Sequence, residues 1–442
     1  MWSFARRDPE GAALTRTSPR GVPYLTRPQD GERNKDFDMI LQAKKKMAIS
    51  VLWAVLILCS TPVLLAEDER CLPFVSPAQV GMKAEVLAKI PVRLQEFVEA
   101  REIAGAVTLV ARNGSIVHWE AVGWADIEKQ IPMRKDTLFQ IASMTKPITA
   151  TALMVLVDRG KVALDDPVSR YLPEFKEITV KGQRLTRPLT IKHLLTHTSG
   201  LTGSQRTEAT LQATVEAIVK GNLAFQPGER WNYSPGLSVC GRIIEVVSGM
   251  PYEQFLEKEI FQPLEMVDTT FVPNEHQRER LAKAYQRTAD GQLLPGGGAS
   301  WLIEDAGVRA PNPSGGLFST AGDLVRFYQM ILNGGELCGR RILSPEAVRL
   351  MTTVQTDDLQ TGFTPGNGWG LGWCIVRQPQ GVTEMLSPGT FGHGGAFGTQ
   401  GWIDPQRQMI FILLVQRTNF PNADASAIRE AFQRLAVEAL EL

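Results

Sequence analysis

Asn113-Gly114 is the dipeptide that most favours a two-residue hairpin turn, and it stands between two β-rich segments, Ala106 to Ala111 and Ser115 to Val122. An antiparallel ribbon is therefore predicted near the start of the folded region. A second pair lies far downstream, where Thr399 to Ile403 and Met409 to Val415 flank Asp404-Pro405, and a helical spacing follows from Ala425 to Leu440. A ribbon at each end predicts a sheet that collects both ends of the chain. Helices are predicted between them at Ile148 to Val157, ending near Gly160, and at Ile191 to Leu195, Leu211 to Val219 and Leu237 to Val247. The expected fold class is α+β, an antiparallel sheet flanked by helices with an inserted, mainly helical lobe. The corresponding boundaries are residues 67–145 and 310–442 for the α/β lobe and 146–309 for the helical lobe, with the active site expected in the cleft between them. No internal repeat is evident.

Size and charge narrow the functional classes. With 442 residues, 43% of them hydrophobic, the chain can bury a large core. Its 47 Lys and Arg balance 47 Asp and Glu, and no long basic run crosses the body of the chain, which argues against a nucleic-acid partner. Lys44, Lys45 and Lys46 precede an apolar run from Met47 to Ala66, and Glu67, Asp68 and Glu69 follow it. That order is the architecture of an export signal over residues 47–66; its competitor is a retained membrane anchor. Ser60, Thr61 and Pro62 interrupt the end of the run, which favours cleavage. Residues 1–46 read as a disordered tail or start-site artefact with a basic n-region, and a start at Met39 would give an ordinary signal peptide. The expected location is therefore exported, periplasmic or secreted, with membrane contact only through residues 47–66. Cys59 falls within the apolar run, and Cys71, Cys240, Cys338 and Cys374 remain downstream. Four cysteines allow three full pairings, or isolated buried thiols, and their spacing contains no Cys-x-x-Cys for a zinc knuckle or a thioredoxin-like site.

The chemistry is concentrated in three places. Ser143-Met144-Thr145-Lys146 follows the strand-like Leu138 to Ile141 and enters a helix with Pro147 in its opening turn. One helical turn brings the two side chains together, and a lysine at that spacing can take the proton from a serine nucleophile. Alone, the pattern is an ordinary N-cap serine followed by a surface lysine. Tyr233-Ser234-Pro235 lies at a junction between elements, and His393-Gly394-Gly395 precedes the last strand pair. Singly, these read as a core aromatic and a turn. His197, in His197-Thr198-Ser199-Gly200, reads as a loop histidine rather than a triad member. No Gly-x-Ser-x-Gly elbow and no His-Glu-x-x-His occurs, so neither an α/β-hydrolase nor a zinc peptidase is indicated, and no metal or cofactor is expected.

In this order the three elements make residues 71–442 resemble the serine β-lactamase and penicillin-binding superfamily. The branch that looks most similar is that of class C β-lactamases with their esterase and D-aminopeptidase relatives, since the second motif begins with Tyr233. Leu194 to Leu201 and Asn419 to Asn422 are similar to further segments of that branch. The resemblance implies Ser143 as acylated nucleophile, Lys146 and Tyr233 as partners in proton transfer, and the backbone N–H groups of Ser143 and Ala396 as an oxyanion hole. It also implies that His393, Gly394, Gly395 and Asn422 border a small-molecule or peptide substrate; for Asn422 a loop or helix cap is the plainer role. Two departures matter. Pro235 stands where the family's Tyr-x-Asn has asparagine, removing an amide donor, and His393 stands where its Lys-Thr-Gly has lysine, removing a permanent cation. Both shift weight from efficient β-lactamase toward esterase or peptidase; the leading expectation is a serine hydrolase acting through an acyl-enzyme on ester, amide or β-lactam carbonyls, with a cell-wall D-amino-acid peptidase and a non-catalytic scaffold as alternatives.

Overall fold

Asn113 and Gly114 both take positive φ, 51° and 76°, the combination a tight turn between twisted strands requires. They join β1 (Gly105–Arg112) to β2 (Ser115–Asp126). The computed structural model describes residues 71–204, 206–296 and 308–441. The expected tail at 1–46 and signal or anchor at 47–66 lie outside them. Among the described residues no helix is long and apolar enough to cross a membrane.

β1 and β2 belong to an eight-stranded antiparallel sheet with β3 (Ile131–Pro132), β4 (Asn367–Trp369), β5 (Cys374–Val376), β6 (Phe391–Gly394), β7 (Gln400–Asp404) and β8 (Met409–Val415). The order is β4-β5-β6-β7-β8-β1-β2-β3. The sheet thus collects both ends of the folded chain, with β8 paired to β1 from Ala106 opposite Val415 to Arg112 opposite Met409.

Alternation divides the sheet's two faces. Ile410, Ile412 and Leu414 join one apolar cluster with Val107, Leu109 and Ala111, while Met409, Phe411, Leu413 and Val415 join another with Ala106 and Val110. Burial on both faces explains why Met409 to Val415 is uninterruptedly apolar. The second face is covered by α1 (Lys89–Glu99), through Ile90, Leu94 and Phe97, and by the last helix, α7 (Ala427–Glu438), through Ile428, Phe432 and Ala436. The first is covered by α2 (Thr145–Asp158) and α6 (Ala321–Leu332). Every residue of α2 from Thr145 to Leu156 is buried, as expected of a helix enclosed by protein on all sides. α3 (Ile191–Leu195), α4 (Leu211–Lys220) and α5 (Gly236–Ser248) fill the middle of the chain near the predicted positions. The short strands β4, β5 and β6 had no clear signal, because three or four residues cannot display a period of two. The helix α1 was missed although Ile90, Leu94 and Phe97 recur at helical spacing along it.

Cys71 and Cys338 form a disulfide across 267 residues of sequence, with Cα atoms 5.6 Å apart; Cys240 and Cys374 are buried free thiols. The crosslink restrains the unfolded chain, so its reduction is expected to lower unfolding free energy by about 2 to 4 kcal/mol. Denaturant melts with and without reductant measure the shift, and coincident curves would refute a stabilising role.

Candidate active site

The nucleophile candidate sits on a bend with an unfavourable backbone. Phe139–Gln140 pairs with Phe318–Ser319, and the chain then turns through a single 3-10 turn, Ala142–Met144, into α2. Ala142 has φ 44°, a left-handed conformation that costs a non-glycine residue roughly 1 kcal/mol or more. This kink carries Ser143 at the mouth of α2, half-buried.

Lys146 lies one turn further on and is completely buried. Its Nζ is 3.2 Å from Ser143 Oγ and donates to the Ser314 carbonyl at 2.6 Å. The Ser314 loop is held rigidly. Thr149 Oγ1 donates to Pro313 O at 2.7 Å, Ser314 N donates to Asn312 Oδ1 at 2.8 Å, and Ser238 and Ser314 hydroxyls meet at 2.8 Å. Gly241 is needed because a Cβ there would lie 2.3 Å from Pro313 Cγ. Burial holds the Lys146 amine well below its usual pKa, since desolvation penalises the charged form.

Tyr233 is presented by the loop before α5. Lys146 Nζ sits 4.6 Å from the centroid of its ring. Burial pushes the phenol up, opposed in part by the nearby Ser143 hydroxyl. The Tyr233 hydroxyl nonetheless makes no geometrically closed hydrogen bond among the described residues, so the Ser143 contact is proximity and not a formed bond. His197 supports this loop from behind. Its Nδ1 accepts from Ser234 N at 3.1 Å, its carbonyl accepts from Asn232 N at 2.8 Å, and its ring lies 4.5 Å from that of Tyr233. Burial lowers its pKa well below the ordinary value. A neutral, loop-supporting histidine is what results.

The third motif forms the opposite wall. His393 is 2% exposed, its ring 6.1 Å from that of Tyr233. Burial, helped by the neighbouring Lys146, holds its pKa down at about 3. Its Nδ1 lies 2.6 Å from the Gly394 carbonyl, and because a carbonyl can only accept, Nδ1 carries the proton and Nε2 the lone pair. Gly394 and Gly395 are close-approach positions: a Cβ on the first would lie 1.9 Å from Asp424 Oδ1, and on the second 2.1 Å from Thr399 Oγ1 and 2.5 Å from Ile141 O. Thr399 Oγ1 in turn donates to Ile141 O at 3.2 Å, which ties the end of β6 to the bend carrying Ser143. Gly395 N donates to Thr399 O and Gly398 N to Gly395 O, which leaves the Ala396 N–H outside the hydrogen bonds of that turn.

Asn422 is exposed and is held by local contacts, one of them to Phe363, whose ring packs on Tyr233. Its Oδ1 accepts from Asp424 N at 3.0 Å and its Nδ2 donates to Phe363 O at 2.9 Å, so it caps the short turn Ala423–Ala425. Ser143 and Lys146, Tyr233, and His393 are brought together from three separate stretches of sequence.

A family model of the β-lactamases covers most of this chain. The chain belongs to the β-lactamase family.

That family's model matches residues 93–436. The chain is 34% identical over 368 residues to Esterase EstB of Burkholderia gladioli, covering 75% of this chain and 90% of that one. It is 32% identical over 307 residues to Penicillin-binding protein 4 of Amycolatopsis lactamdurans, covering 67% and 76% respectively. In three dimensions it is similar to EstCE1, described as a hydrolase with promiscuous acyltransferase activity, with a TM-score of 0.69, 26% identity, and coverage of 80% of this chain and 98% of that one. The protein is a serine hydrolase of the β-lactamase family and has its β-lactamase/transpeptidase-like fold.

Motif spacing gave no indication of several residues that shape this β-lactamase-family site. Ser314 acts through a backbone carbonyl, for which side-chain patterns carry no signal. Trp231, Phe363 and Trp369 gather around Tyr233, with ring centroids 6.3, 5.0 and 6.3 Å from it. Each is an isolated aromatic in an irregular or very short segment, so no periodicity marks it.

Proposed function

We propose that this protein hydrolyses uncharged carboxylic esters through an acyl-enzyme on Ser143. The observation that carries the reading is Lys146, buried with its Nζ 3.2 Å from Ser143 Oγ and held toward its neutral form. A neutral amine has a lone pair for the serine proton, so the Ser143 oxygen can attack the ester carbonyl as that proton moves to Nζ. The Ser143 and Ala396 N–H groups are the proposed donors to the oxyanion that forms. Tyr233, a neutral phenol, relays a proton to the departing alcohol as the Lys146 ammonium returns one to it, so that no buried phenolate is left behind. Collapse of the tetrahedral adduct leaves acyl-Ser143, and water attacks the acyl carbonyl by the same route in reverse.

Preference for esters follows from what surrounds the nucleophile. A substrate ending in a carboxylate would meet His393, a neutral imidazole, where a lysine would offer a cation. Losing a charge-assisted hydrogen bond costs about 1.5 to 3 kcal/mol, or roughly 10- to 100-fold. Pro235 likewise offers no amide donor to an acylamino group. The test is kcat/KM for a short-chain p-nitrophenyl ester against a peptide ending in D-alanyl-D-alanine and a penicillin. The ester is expected to lead by at least that factor, and a dominant release of D-alanine would replace this reading with the peptidase one.

The pH profile is a second expected result. Since His393 and His197 are both held neutral, no histidine step is expected between about pH 6 and 7. Activity requires unprotonated Lys146, so kcat/KM should fall as pH drops through the lowered pKa of that amine. A bell centred on an ordinary histidine pKa would contradict the assignment. Export is part of the same proposal: the Cys71 to Cys338 disulfide suits an oxidising compartment. The mature N-terminus of the secreted protein, expected near Glu67, checks it.

A further inference from the structure

A small cavity is bounded by Asn367, Trp369, Cys374, His393, Trp402 and Arg429 together with Phe363, Thr364, Gly394 and Asp424. The room it offers the centre of a water molecule is ≈ 10 Å³, the lower bound for one water and far too little for a substrate fragment. Four of these side chains each carry a buried polar atom with no partner among the described residues: Asn367 Oδ1, Trp369 Nε1, His393 Nε2 and Arg429 Nη2. Their other polar atoms are engaged. Asn367 Nδ2 donates to Thr364 Oγ1 at 2.6 Å, Arg429 Nη1 to Asp424 O at 2.6 Å and Arg429 Nε to Gln433 Oε1 at 3.0 Å, and the guanidinium lies 4.0 Å from the Trp402 ring centroid. The tautomer of His393 is fixed by its Gly394 contact, so Nε2 is an acceptor.

The four orphan atoms are thus two donors, Trp369 Nε1–H and Arg429 Nη2–H, and two acceptors, Asn367 Oδ1 and His393 Nε2. That is the full hydrogen-bonding complement of one water molecule, which accepts two bonds and donates two. We propose that this cavity binds a single water bridging Arg429 and Trp369 to Asn367 and His393, which makes Arg429 a positioning residue for His393. Four unmet polar atoms around one such cavity would otherwise each carry a desolvation cost. Arg429 lies on α7 and never approaches Ser143, so its influence passes through the water. Only the catalytic consequence rests on the assignment of His393 to the substrate wall.

A high-resolution crystal structure of the protein tests the site directly. It should show one water within about 2.7 to 3.2 Å of all four atoms; a dry cavity, or pairing of these atoms with one another, would overturn the proposal. The second measurement is the ¹⁵N spectrum of the imidazoles, practicable with five histidines in the chain. His393 should stay the Nδ1–H tautomer throughout, with its Nε2 resonance in the hydrogen-bonded position in the wild type and in Arg429→Lys and moved toward the free-acceptor position in Arg429→Met. An unchanged His393 signal in Arg429→Met would exclude the positioning role. Asn367→Leu, which removes one acceptor without touching α7, should also lose the water; retention there would argue against the four-point site. In Arg429→Met, kcat on the ester should fall on the order of tenfold, with fluorophosphonate labelling of Ser143 retained. If Ser143→Ala kept its turnover, the esterase reading would fail while the water and the Nε2 resonance stood unaffected.

Discussion

Ser143→Ala is expected to lose ester turnover by at least about 10⁵-fold, because removing the nucleophile of a covalent mechanism leaves only binding and oxyanion stabilisation. The same variant should give no adduct with a fluorophosphonate, while the wild type gains the mass of one, and intact-mass spectrometry reads both. The loss should be in kcat, with substrate binding little changed, because the hydroxyl contributes to the transition state and hardly to the ground state. Since Ser143 is half-buried and its hydroxyl's charted neighbour is Lys146, the truncation should leave folding intact. A folded Ser143→Ala protein with full hydrolytic activity would refute the mechanism outright.

Lys146→Met separates catalysis from stability. Activity should fall by about 10² to 10⁴, the usual worth of a positioned general base. Stability should stay within about 1 kcal/mol of the wild type near neutral pH, because two effects offset. The Ser314 carbonyl loses its donor, at a cost of about 1 to 3 kcal/mol. Against this, a buried amine that resists ionisation is replaced by an apolar chain of similar length, a change that commonly stabilises by about 1 to 4 kcal/mol. The pH dependence distinguishes the two proteins. Unfolded Lys146 holds its proton up to about pH 10.4, whereas the folded chain releases it well below that. The unfolded state therefore binds the extra proton, and wild-type stability drops as pH falls through the folded pKa. Lys146→Met lacks that component, so its advantage should grow toward acid. Chemical denaturation at several pH values reads the difference, and parallel curves for the two proteins would show that the amine is charged in the folded state.

The frame of the molecule was legible wherever a single residue type has few conformational options or a segment is long enough to show its period. Asn113-Gly114 announced β1 and β2, and Met409 to Val415 announced the strand β8. Ser143 and Lys146 were legible because a helical turn is a fixed spacing, and Tyr233 and His393 because their order matches the family's. What sequence could not convey was direction and environment. Nothing in the string says that Ala142 takes φ 44°, that Lys146 rests on a carbonyl 168 residues away, or that burial drives the Lys146 and Tyr233 protons in opposite directions. The resemblance implies that the two groups share proton transfer, and the proposed mechanism keeps both, with the amine as base and the phenol passing the proton on. Arg429 was invisible for a related reason: on α7 it follows the spacing of an ordinary helix, and only the packed structure turns it toward the cavity that His393 lines.

The position of β8 has a consequence for how the enzyme is made. It lies inside the sheet, between β7 and β1, although it is the last strand in the chain. During synthesis β1 therefore waits with one edge open while some three hundred residues emerge, and only then does the strand from Met409 to Val415 arrive to fill the gap. Such long-range pairing is slow and leaves an adhesive edge exposed in the interim. For a nascent chain this is a hazard, and for the cell it is a safeguard: a polypeptide that stops short of Met409 lacks the strand with which both β1 and β7 pair, so the sheet that carries the site stays open.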